Sequence, residues 1–112
     1  MTTRVLILDV DEAFSRRLKA ALAAQGTFVV STVRTLREAS DQLSRDRHDL
    51  VFLPVGPDAS AVHALRAIQP DLRLILTKPT TQYRVPDAFS GHVQAVLIKP
   101  LLEIDLATVL RA

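Results

Sequence analysis

The sequence predicts an open α/β sheet of five parallel strands covered by helices, and three observations carry that expectation. Five short apolar runs, Val5–Leu8, Phe28–Val33, Leu50–Val55, Leu72–Leu76 and Ala95–Ile98, begin about 22 residues apart. The runs are mostly continuous rather than alternating, which suits strands buried on both faces. Helical patterns fill the gaps between them, and strand–helix alternation is what a parallel sheet with right-handed crossovers requires.

Each element has its own local reason. After the first run, Phe14, Leu18, Ala21 and Leu22 make one helical stripe, with Asp11 placed to cap its start and Gly26 to stop it. Phe28-Val29-Val30-Ser31-Thr32-Val33 is the most mixed run, as an edge strand should be. Thr35-Leu36-Arg37-Glu38 reads as a capping box opening a second helix, with Leu36, Ala39 and Leu43 turned inward. Val62, Leu65 and Ile68 mark a third helix, ended by Pro70. The fourth gap differs: Pro79 and Pro86 interrupt it, so its helix should be short, displaced or absent. Leu102, Leu106, Val109 and Leu110 mark the last helix.

Composition sets bounds and excludes classes. A length of 112 residues is one domain, spanning 1–112, with enough chain for a core. Cysteine is absent, so disulfides and thiolate chemistry are excluded. No apolar run is long enough to span a membrane, and the start does not read as a signal peptide, so a cytoplasmic location is expected. Lys and Arg number 14 against 12 acids, a net charge of +2 with no block of like charge. With only 4% aromatics, the chain lacks the basic, stacking surface of a nucleic-acid binder. Gly26, Gly56 and Gly91 are the only glycines, which rules out G-x-G-x-x-G and P-loop signatures. His48, His63 and His92 fit no metal-ligand spacing and are expected at the surface.

In open α/β sheets the chemistry sits at the carboxyl ends of the strands. Those ends read Asp9-Val10-Asp11-Glu12, Pro54-Val55-Gly56-Pro57, Thr77-Lys78-Pro79 and Lys99-Pro100. This set resembles the receiver domains of response regulators, along essentially the whole chain. The resemblance implies a (βα)5, flavodoxin-like sandwich with strand order 2-1-3-4-5. It implies that Asp9 belongs to the family's metal-binding acids, with Val10 where the adjacent acid would stand. It implies that Pro54 holds the phosphoacceptor position, that Thr77 is the switch hydroxyl and that Lys99 is the lysine ending the fifth strand. The family's switch aromatic would fall at Val96.

These departures predict chemical silence. Proline offers no nucleophile, and two separated carboxylates, Asp9 and Asp11, hold Mg2+ weakly at best. Lys78, beside the switch hydroxyl, stands either in solvent or with its ammonium among Asp9 and Asp11. The expected function is a pseudo-receiver: no enzyme, but a protein–protein interaction module in two-component-type signalling. Its contact face, for a partner protein or a second copy, is expected along the fourth helix, fifth strand and last helix, around Val96, Leu101, Leu102 and Ile104. Two alternatives remain: phosphorylation at a substitute such as Asp58, or a small-ligand sensor in the vacated pocket.

Overall fold

The computed structural model describes residues 2–56, 59–79, 84–85, 87–89, 91, 93–99 and 103–111, with the side chains at 88 and 103–105 excepted. Five strands, β1 (Thr3–Leu8), β2 (Phe28–Val33), β3 (Leu50–Pro54), β4 (Arg73–Lys78) and β5 (Ala95–Ile98), form one parallel sheet in the order 2-1-3-4-5. Four helices accompany them: α1 (Glu12–Gln25), α2 (Leu36–Arg45), α3 (Ser60–Ile68) and α4 (Glu103–Leu110). Between β4 and β5 the described residues hold one 3-10 turn, Asp87–Phe89, in the gap that Pro79 and Pro86 interrupt.

Strand alternation sorts the core into two layers. Leu6, Leu8, Val51, Leu53, Leu74 and Leu76 face the side where Ala39, Leu43, Val62 and Leu65 of α2 and α3 pack. Val5, Ile7, Leu50, Phe52, Ile75 and Leu97 face the other side, against Phe14, Leu18 and Leu22 of α1 and Leu106 and Val109 of α4. Burial on both faces explains the continuous apolar runs of the central strands. β2 lies at the sheet edge, in keeping with its mixed sequence.

The helix starts follow local chemistry. Asp11 caps α1 by accepting the Phe14 N–H at 3.1 Å, and α1 ends before Gly26. Thr35 caps α2 by accepting the Glu38 N–H at 3.1 Å, and its hydroxyl meets the Glu38 carboxylate at 3.2 Å.

Three sequence expectations need correction. Leu36 and Ile68, assigned inward, are 36% and 38% exposed. Leu36 is the first residue of its helix and Ile68 the last, so each lacks a helical turn on one side to enclose it. His48, assigned to the surface, is 2% exposed. Its N–H donates to Gln69 Oε1 at 3.1 Å, Gln69 Nε2 donates back to its carbonyl, and its Nδ1 lies 2.9 Å from the Asp46 carbonyl. The exchange with Gln69 satisfies the buried His48 backbone and fastens the loop before β3 to the loop before β4, while the ring nitrogen Nδ1 pairs with the Asp46 carbonyl. His63 is exposed as expected, and His92 lies outside the described residues.

Candidate functional site at the carboxyl ends of the strands

The first strand delivers Asp9. Its N–H continues the sheet by donating to the Val33 carbonyl at 3.1 Å, and its side chain turns into the protein, leaving the residue 5% exposed. Both carboxylate oxygens are engaged. Oδ1 accepts the Asp11 N–H at 2.9 Å, which fixes the turn into α1. Oδ2 accepts from Lys99 Nζ at 2.7 Å. Val10, in the place of a second acid, is 69% exposed and supplies no ligand.

The third and fourth strands end side by side, with Pro54 opposite Thr77. Pro54 is exposed, and the chain continues with the Val55 N–H donating to the Thr77 carbonyl at 3.0 Å. Thr77 is buried, and among the described residues its Oγ1 has no hydrogen-bond partner.

The fifth strand delivers Lys99. Its N–H donates to the Lys78 carbonyl at 2.9 Å, extending the β4–β5 ladder by one residue. Its ammonium, besides meeting Asp9, stands 4.3 Å from the centroid of the Phe14 ring. That distance lies within the range of a cation–π contact. Phe14 was legible in the sequence only as a core residue of α1; nothing in its spacing marks it as a seat for a cation.

The sequence-predicted residues therefore divide. Asp9 and Lys99 meet directly, and Pro54 and Thr77 stand opposite each other at the ends of β3 and β4. Asp11 is exposed and spends Oδ1 on the helix cap. The ion pair to Asp9 comes from Lys99, not from Lys78, which ends β4 half-buried. Val96 is half-buried against the core on the α2–α3 side, paired with Leu76. Leu101, Leu102, the side chain of Ile104 and Asp58 lie outside the described residues.

Among the described residues, the donors at this site do not match what a divalent cation needs. It needs several oxygens in near-octahedral array, whereas Asp9 has both oxygens engaged and Pro54 has no side-chain oxygen. Among the described residues, no three His, Cys, Asp or Glu side chains gather in a way that would hold a metal. Among those residues, too, no helix is long and apolar enough to cross a membrane.

Solved structures of similar fold include response-regulator receiver domains. A CheY-like receiver domain protein from Methanospirillum hungatei is 19% identical, with 99% of this chain and 92% of that one covered at a TM-score of 0.80. The signal receiver domain of an HD-domain-containing protein from Pseudomonas fluorescens is 20% identical, with 99% and 93% covered at a TM-score of 0.84. The chemotaxis protein CheY4 of Vibrio cholerae is 19% identical, with 99% and 98% covered at a TM-score of 0.83. No protein-family model matches the chain, and no curated protein matches it. The fold is that of the CheY-like receiver, in the five-stranded order that the strand ends led us to expect.

Proposed function

We propose that this chain is a receiver-like domain, spanning 1–112, that accepts no phosphoryl group and acts by docking to another protein in two-component-type signalling. One observation carries the reading: the position at the end of β3, flanked by Thr77 and overlooked by the Asp9–Lys99 pair, is Pro54. Acyl phosphate formation needs a carboxylate nucleophile there and a cation to neutralise the incoming oxygens. Proline supplies neither an attacking oxygen nor a metal ligand. Asp9, the acid that remains, is already neutralised from within.

On this reading the receiver-like surface is what remains to act. The proposed contact face runs through Val96, Leu101, Leu102 and Ile104, and serves a partner protein or a second copy without gating by phosphorylation. The proposed setting is the cytoplasm.

The test is intact mass spectrometry after incubation with acetyl phosphate or phosphoramidate in millimolar Mg2+. The expected result is an unmodified chain. A phosphoryl adduct, whether on Asp58 or elsewhere, would replace this reading with that of a receiver using a substitute acceptor.

A further inference from the structure

The Asp9–Lys99 pair has more structure than a strand-end contact needs. Within the sheet, β1 and β5 are separated by β3 and β4. The ion pair therefore crosses the carboxyl edge, over the strand ends that carry Pro54 and Thr77. Pro54 carries no carboxylate, and the Lys99 ammonium pairs with Asp9.

The ammonium is also held rather than merely near. The Asp9 side chain is 3% exposed and that of Lys99 24%, so most of the competing water is excluded. The Phe14 ring adds a second seat at 4.3 Å. A buried carboxylate needs a counterion, and Asp9 draws it from the chain itself. Oδ2, the oxygen that the Asp11 N–H leaves free, is the one that Lys99 occupies.

We propose that the Lys99 ammonium is the resident cation of this site, standing at Asp9 in place of a divalent metal ion and keeping such ions out. The inference rests on reading the strand ends as a silenced receiver pocket. It adds that the pocket keeps its shape without metal, because its positive charge is covalently fixed just after β5.

The test uses Mn2+ as the probe, followed by paramagnetic broadening of backbone amides. Wild type, Lys99→Met and the double variant Lys99→Met/Asp9→Asn are titrated without any phosphodonor. Removing a unit positive charge beside the carboxylate should let Mn2+ broaden the Asp9–Asp11 amides at about one-tenth the concentration needed in wild type, or less. The double variant should lose that gain. Equal broadening in wild type and Lys99→Met overturns the proposal, as does a gain that survives in the double variant. If Lys99→Met does not fold, wild type alone decides. A melting temperature that is the same in EDTA and in millimolar Mg2+ supports the proposal, and a rise with Mg2+ overturns it. The outcome is separable from the proposed function: metal binding by wild type without a phosphoryl adduct defeats the resident-cation inference only, whereas an adduct defeats the proposed function.

Discussion

Lys99→Met removes the ammonium while keeping much of the side-chain stem against Phe14, so it isolates the charge. The variant leaves the Asp9 carboxylate almost fully enclosed, with the Asp11 N–H as its remaining partner. Deleting one member of a fully buried ion pair costs about 3–5 kcal/mol. Lys99 is 24% exposed, so solvent already screens part of the pair, and Oδ1 keeps its hydrogen bond. The expected loss is therefore about 2–3 kcal/mol. In a domain of this size that corresponds to a fall in melting temperature of roughly 10 °C. Asp9→Asn leaves the ammonium partly hydrated and should cost less, about 1–2 kcal/mol. The double variant strands no charge and should be more stable than Lys99→Met alone. Urea unfolding of the four proteins gives a double-mutant cycle, with an expected coupling of about 2 kcal/mol. A coupling below about 0.5 kcal/mol would mean that the pair does no more than a surface contact, and the reasoning would fail.

Three further outcomes follow from the same structure. Thr77→Val removes a buried hydroxyl that has no partner among the described residues, so urea unfolding should show a change between zero and a gain of about 1 kcal/mol; a loss above about 1 kcal/mol would show that the hydroxyl is in use. Gln69→Ala strips the buried His48 backbone N–H and carbonyl of their partners and should cost about 2–4 kcal/mol in the same assay, while a cost within about 0.5 kcal/mol would contradict the fastening role. The guanidinium of Arg47 hydrogen-bonds Asp71 and holds its carboxyl below the ordinary 3.8. That depressed value means the pair's contribution is present above the ordinary carboxylate range and is lost as pH falls through the lower, folded midpoint. Both side chains are exposed, so high salt should return an NMR-followed Asp71 titration towards its ordinary midpoint, and a salt-independent titration would contradict the attribution.

The sheet was legible because its strands are buried twice over. Val5–Leu8 and Leu50–Leu53 have no solvent face to interrupt their apolar runs, so continuity alone marked them as central strands. The caps were legible because Asp11 to Phe14 and Thr35 to Glu38 are three-residue relations, complete within a single turn. Legibility ends where side chains reach across the fold. Two Lys-Pro pairs follow strands, and the sequence offers no local reason to prefer one for Asp9. The choice of Lys99 depends on where β5 lies in the sheet and on the Phe14 ring, partners 90 residues apart along the chain in the case of Asp9. His48 escaped for a similar reason. It stands among Asp46, Arg47 and Asp49, a polar setting that suggests surface, and its partner Gln69 comes from the next helix end. Leu36 and Ile68 failed differently, since periodicity extends a stripe to the helix ends, where a turn is missing on one side.

The central claim, a receiver fold whose phosphoryl site is closed by Pro54 and by the Asp9–Lys99 pair, is tested most directly by beryllofluoride. This phosphoryl mimic is added with Mg2+ to the isotopically labelled protein, and the amide NMR spectrum is followed at Thr77 and Lys99, the residues that would grip it. The account predicts spectra that overlay with and without the mimic. Saturable shifts at Thr77 and Lys99, spreading to the neighbouring strand ends, would show a working acceptor site and contradict it.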